Sequence, residues 1–479
     1  MREGSLEAPT RHVIPWEDPD FSDRAKTEAE MHRIFDICHT CRRCFNLCDA
    51  FPRLFDLIDN SESGELDTVA PADYKKVADA CTLCDMCFMT KCPYVPPHEF
   101  NVDFPHVMLR YRAVELREGR VPLQQRELVK TDRNGRLAGM VAPLANWASD
   151  RKNRLTRPVL EKVAGIDRKA ALPKYDGRTF RMRSKASAPE VDRAAPAYGR
   201  KAVLYATCFV NYNNPSIGEA TRAVLARNGV KTEVLYPRCC GMPQLEQGDL
   251  AAVASSAARV AGTFARWIDE GYDVIALVPS CALMLKFEWP LVLPRDAAVE
   301  QLSKATFDIS EYIVDIARKE GLAPGLSPLG GGITVQLACH ARAQNMGPKA
   351  AEMLRLLPEA EVAVIERCSG HGGSWGVLKG NFETAVKIGR PVGRQALKNA
   401  KPFLSSECPL AGMHIVQEMG ILASDDRAQS VPARSMHPIE LVARSYGIPG
   451  AWSDVEVNID DRYDSPQQRA VEAGGYPAT

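Results

Sequence analysis

Apolar positions recur at helical intervals in the first quarter of the chain and as strand-length runs in the second half. Residues 1–30 carry Pro9, Pro15 and Pro19 among charged side chains and read as an irregular arm. Over 23–36, Ala25, Ala29, Met31 and Ile34 fall among charges at helical spacing, which predicts a helix leading directly into Cys38. Residues 104–128 show a further helical pattern, and the basic, proline-punctuated stretch from 141 to about 200 holds one predicted helix at 157–166. After residue 200, short apolar runs at 201–207, 231–235 and 273–278 predict strands, with a helix at about 216–228.

The same succession then returns. Strands are predicted at 333–338, 361–366 and 402–407, with a helix at about 348–356. Cys208 and Cys339 lie 131 apart, Cys239 and Cys368 129, Cys281 and Cys408 127, and Asp308-Ile-Ser-Glu311 and His437-Pro-Ile-Glu440 129. Such a near-constant offset marks an internal duplication. Strands alternating with helices imply parallel βαβ units, and each cysteine falls just past the carboxyl end of a strand, where open α/β sheets place their sites.

Composition excludes more than it selects. A chain of 479 residues suffices for about two to four domains. Sixty Lys and Arg balance sixty Asp and Glu, so no global field calls for nucleic acid. Between Arg151 and Lys201, however, fifteen basic residues face five acidic ones, the pattern of a solvated linker or of a docking surface for an acidic partner or anionic lipid. Fifteen cysteines without an apolar amino-terminal leader point to a reducing, cytoplasmic compartment and to metal binding rather than disulfides. No run reaches the length of a spanning helix, the longest, 274–285, being broken by Pro279 and Ser280.

The cysteines carry the chemistry. Cys81, Cys84 and Cys87 step by three residues and Cys92 precedes Pro93; Cys38, Cys41 and Cys44 step likewise, with Cys48 fourth. Regular two-residue gaps let one turn of backbone aim three thiolates at the corners of a [4Fe-4S] cube, whereas zinc sites usually group ligands in separated pairs. The two runs resemble a two-cluster bacterial ferredoxin-type domain, in which the fourth cysteine of each run serves the other cluster. That resemblance implies one cube on Cys38, Cys41, Cys44 and Cys92 and another on Cys81, Cys84, Cys87 and Cys48. The long separation of the runs suggests the helical variant found in electron-transfer subunits, with a helix over 74–80 feeding Cys81.

Cys239-Cys240-Gly241 and Cys368-Ser369-Gly370, each with a cysteine before and after, resemble the cysteine-rich (CCG) domains of three families: the B subunit of heterodisulfide reductase, the iron-sulfur subunits of glycolate oxidase and the C subunit of anaerobic glycerol-3-phosphate dehydrogenase. Cys339-His-Ala-Arg-Ala-Gln-Asn-Met-Gly347 and Glu366-Arg-Cys368-Ser-Gly-His371 look characteristic of the last family, which shares the plan of a ferredoxin domain followed by two cysteine-rich domains. The chain departs from the heterodisulfide reductase pattern, since Val278 and Ser405 stand where that family has the earlier cysteine of a CxxC. The first half keeps Cys208, Cys239, Cys240 and Cys281, enough for a cubane or zinc. The second keeps Cys339, Cys368 and Cys408, with His340 and His371 nearby, a set that suits zinc or a cluster with one histidine or an open iron.

These readings give an α+β multi-domain protein: an arm (1–30), a helical ferredoxin-type domain with two [4Fe-4S] clusters (31–125), a basic linker with helices (126–200), two homologous α/β cysteine-rich domains of parallel βαβ units (201–325 and 326–450) and a tail (451–479). No Ser-His-Asp set, paired carboxylates or dinucleotide fingerprint appears, so a flavin would sit on another chain. Resemblance to the glycerol-3-phosphate dehydrogenase family implies electron transfer between a partner flavoprotein dehydrogenase and a quinone, with the protein peripheral on the inner face of the membrane. Two rivals are a heterodisulfide reductase-like enzyme acting on a thiol, disulfide or peroxide-derived substrate, and a cluster- or zinc-based redox sensor.

Overall fold

The computed structural model describes residues 8–423 and 431–449; the expected tail at 451–479 lies outside the described residues. The amino-terminal part is helical: α1 (Arg24–Cys41), α2 (Ala50–Asp59), α3 (Tyr74–Ala80), α4 (Met86–Thr90) and α5 (Phe104–Arg117). Asp23 caps α1 by accepting the N–H of Lys26. That helix does not stop before Cys38 as expected but contains Cys38 and Cys41, ending where Arg42 turns left-handed at φ 51°. Its apolar stripe, Met31, Ile34 and Phe35, packs with Phe51 and Phe55 of α2 and Tyr74 of α3 into a closed core. The single helical stretch expected over 104–128 divides into α5 and α6 (Leu123–Leu128), because Gly119 takes φ +73° and Pro122 cannot continue a helix.

The stretch expected as a basic linker with helices has its helix near 157–166, at Thr156–Ala164, and is packed structure rather than a solvated connection. It folds as α6, α7 (Thr131–Met140), α8 (Ala142–Ser149) and α9 (Thr156–Ala164), in contact with one another and, through α7, with the helix Cys208–Tyr212. Gly135 of α7 lies so close to the Tyr212 ring that any side chain there would collide with it.

Two parallel sheets follow. β1 (Lys201–Tyr205), β2 (Lys231–Leu235), β3 (Asp273–Ala276) and β4 (Thr306–Asp308) are ordered β2-β1-β3-β4. β5 (Ile333–Gln336), β6 (Val362–Ile365) and β7 (Phe403–Ser406) are ordered β6-β5-β7. β2 matches its apolar run and the other foreseen strands are two residues shorter than theirs, since Pro279, for example, already opens the helix Pro279–Leu283. β4 was not foreseen. Its counterpart in the second sheet shrinks to one parallel bridge, Ser405 with Met436. Asp308 and His437 both form capping boxes, with Glu311 and Glu440, so the duplication holds down to single hydrogen bonds. The repeats lock together where the Ser216 hydroxyl donates to the buried Glu440 carboxylate at 2.8 Å.

The arm is held by backbone bonds from Thr10 to the Pro96 carbonyl and from Ile14 to the Leu291 carbonyl, and by one charged anchor. Arg11 pairs with Asp85 at 2.7 Å, Asp103 at 3.1 Å and Glu288 at 3.0 Å, tying the arm to the Cys81–Cys87 loop, to α5 and to the first sheet's domain. Against the upward push of burial, His106 and Arg11 hold the Glu288 carboxyl down to about 2. Removing one partner of a buried ion pair strands the others, at about 3–5 kcal/mol. Arg11→Ala is therefore expected to lower the denaturation midpoint by that equivalent and to loosen the loop. Because the folded pKa of Glu288 is depressed, its contribution is complete above pH ~5 and lost as pH falls towards 2; Glu288→Gln should flatten the acid limb of the stability–pH curve.

Candidate metal centres

The eight amino-terminal cysteines form two groups that cross between the runs. Burial pushes the Cys38 thiol far up, and its neighbours Cys92, Cys44 and Cys41 push it further. Burial, then Cys92 and Cys41, raises Cys44 to about 12. In the other group burial raises Cys48, with Cys84 and Cys81 adding to it, and Cys87 responds to burial, to Cys84, Cys81 and Cys48, and last to Cys44 of the first group. Cys92 thus stands with the first run and Cys48 with the second.

Backbone geometry turns donors towards these sulfurs. The N–H groups of Ala50 and Phe51 at the start of α2 face Cys48, those of Tyr94 and Val95 face Cys92, and that of Leu83 faces Cys81. Leu83 and Asp85 take left-handed φ values of 48° and 63°, which fold the Cys81–Cys87 loop into a concave path. Buried thiols that raise one another's pKa, yet meet N–H donors that favour the thiolate, fit a cationic polynuclear core.

In the first repeat, Cys239 Sγ lies 3.8 Å from Cys208 Sγ, and Cys240 Sγ lies 3.3 Å from Cys281 Sγ. Contact with Cys208 and then Cys240 pulls the Cys239 thiol well down. Asp132, in the first turn of α7, accepts the Cys239 N–H at 2.9 Å and the Tyr236 hydroxyl, and the Trp289 indole donates to the Cys240 carbonyl at 3.0 Å. Thr207, just before Cys208, is forced to φ +51°, an uncommon and costly conformation for a β-branched residue, and its hydroxyl caps the next helix by accepting from Val210.

In the second repeat, Cys339 touches two partners. Hydrogen bonding with Cys368 and then with Cys84 raises its thiol, and the same contacts lower Cys368 and Cys84. Cys84 belongs to the amino-terminal runs, so the second repeat and the Cys81–Cys87 loop are neighbours here. Gly370 N–H donates to Cys368 Sγ at 3.3 Å, and its φ of +79° sets it so tightly on the Ala385 carbonyl that no Cβ fits. Burial raises Cys408, which also feels Cys281 of the first repeat.

The two histidines separate. His340 Nε2 faces the Leu83 carbonyl at 3.4 Å, towards the amino-terminal loop. His371 is buried with Nε2 unpartnered, and burial and then His414 push it down to about 3, a neutral imidazole. The position of the missing CxxC cysteine is structural in the second repeat, where the Ser405 hydroxyl donates to the Met436 carbonyl at 2.9 Å. Among the described residues no three His, Cys, Asp or Glu side chains converge on one point as a single metal ion requires. Cluster ligands need no such convergence, because sulfides and irons fill the space between them.

Residues 202–286 match the family model of the cysteine-rich domain, CCG. The first repeat is a cysteine-rich domain. The chain is also similar to the C subunit of the anaerobic glycerol-3-phosphate dehydrogenase of Escherichia coli K12, 29% identical over 66% of this chain and 76% of the relative. The B subunit of the fumarate reductase (CoM/CoB) of Methanothermobacter marburgensis is 24% identical over 70% of this chain and 56% of the relative. Lactate utilization protein A of Geobacillus kaustophilus is 26% identical over 43% and 87%. The resemblance read from the motifs is thus found along two thirds of the chain. Asp132, Glu288 and Arg11, which brace the cysteine-rich domain and the loop before it, were not foreseen, since isolated charges far apart in sequence carry no spacing signal.

The crossed grouping predicts that Cys92→Ser abolishes first the EPR signal of the Cys38 group and spares that of the Cys81 group; loss of the Cys81 signal alone would contradict it.

Proposed function

We propose that this chain is an iron-sulfur electron-transfer subunit that takes electrons from a partner flavoprotein dehydrogenase and passes them to a quinone. The observation that carries this reading is the seating of the Cys81–Cys87 loop on the second repeat, where His340 Nε2 faces the Leu83 carbonyl at 3.4 Å and Cys84 neighbours Cys339. From there Cys408 and Cys281 lead into the first repeat. The inferred order is therefore the Cys38 group, the Cys81 group, the second repeat and last the cysteine-rich domain at Cys208 and Cys239.

On this reading Cys38, Cys41, Cys44 and Cys92, and Cys81, Cys84, Cys87 and Cys48, hold two [4Fe-4S] clusters. Each repeat holds a further iron-sulfur group, with His371 beside the second. Clusters bound there supply one-electron redox chemistry. The chain's own work is spacing and tuning: burial keeps water from the sulfurs, N–H donors favour the thiolates, and Arg11 fixes the loop that brings Cys84 to Cys339. The likeness to proteins named as dehydrogenase and reductase subunits supports a redox partner.

Anaerobic purification with iron and sulfide analysis tests the reading. More than about eight irons per chain are expected, since two cubes account for that number; eight would confine clusters to the ferredoxin-type part, and none would overturn the assignment. Cys339→Ser should keep the amino-terminal EPR signals but slow reoxidation by a soluble quinone at least about tenfold, equivalent to about 1.4 kcal/mol of barrier.

A further inference from the structure

Among the described residues, ten of the sixteen exposed large hydrophobic side chains fall within residues 123–182, which makes this surface a patch rather than ordinary scatter. Its helices are inverted. On α9 two charged side chains point inward: Arg157 is 2% exposed and donates to the carbonyls of Ser149, Asp167, Arg168 and Ala170, while buried Glu161 pairs with Arg168 at 2.5 Å. The apolar side chains point outward, Leu155 at 78% exposure and Val159 and Val163 following at four-residue steps. Leu137 and Met140 on α7, and Leu144 and Trp147 on α8, form the same kind of stripe at three-residue steps. Interior polar groups so fully bonded show that this face is built to be outermost.

We propose that α7 to α9 form an in-plane docking platform that seats its apolar face in the interface of an anionic bilayer. Every exposed charged residue within 136–163 is basic, namely Arg136, Lys152, Arg154 and Lys162, the charge an anionic headgroup layer complements. A second copy of this face would instead set these cations against themselves. Among the described residues no helix is long and apolar enough to cross a membrane, so the contact is interfacial. The same helix that bears Leu137 and Met140 holds Cys239 through Asp132 on its other side. Lipid binding is independent of which acceptor takes the electrons.

The test is flotation of the full chain, purified anaerobically, with phosphatidylcholine vesicles with and without phosphatidylglycerol. The chain should float with the anionic vesicles and less so without phosphatidylglycerol or in high salt. Leu144→Glu combined with Trp147→Glu, both at exposed positions, should weaken binding at least about tenfold, and so should Val159→Glu, at unchanged iron content and EPR. Absence of flotation, or flotation unaltered by these variants, overturns the proposal. So does a dimer in sedimentation that the same variants dissociate, which would assign the face to a second copy. Iron content and EPR on the same samples report on the relay separately, so failure of one reading does not mask failure of the other.

Discussion

Everything beyond the amino-terminal cysteines depends on one loop, Cys81 to Cys87, staying pressed against the second sheet's cysteine edge. The loop has no regular structure of its own before α4, and its path is held by left-handed backbone at Leu83 and Asp85. What fixes it is charge: Asp85 is buried against Arg11, whose other partners lie on the amino-terminal helices and beside the first sheet. Buried ion pairs add little net stability, but they specify geometry when every member is matched. Here the geometry specified is the seating of Cys84 beside Cys339.

The duplicated half shows how one scaffold is specialised twice. The strand order and capping boxes are kept, while the first repeat retains paired cysteines and a fourth strand and the second substitutes Ser369 and reduces that strand to a bridge. Each repeat also meets a different neighbour. The first repeat faces α7 through Asp132, and the second faces the Cys81–Cys87 loop through Cys339 and His340.

Much of this was legible in the residues. Apolar runs and the offsets near 129 located both sheets, and the two cysteine runs located the amino-terminal groups, because local periodicity and local spacing are properties of sequence. The meeting of Cys84 with Cys339 was not legible, since it follows from how two folded parts dock. Nor was the character of 126–200: its charge suggested a solvated linker, yet Arg157 and Glu161 are inside and Leu155 and Val159 outside, and only packing decides which side of a short helix faces out.

The crossing from Cys84 to Cys339 also bears on how the protein is made. The amino-terminal cysteines leave the ribosome long before their sulfur neighbour does, and Arg11 must wait as long for Glu288. A nascent or truncated chain therefore lacks both the neighbour of Cys84 and the third carboxylate of Arg11, so the surroundings of the Cys81–Cys87 loop are complete only in the finished molecule.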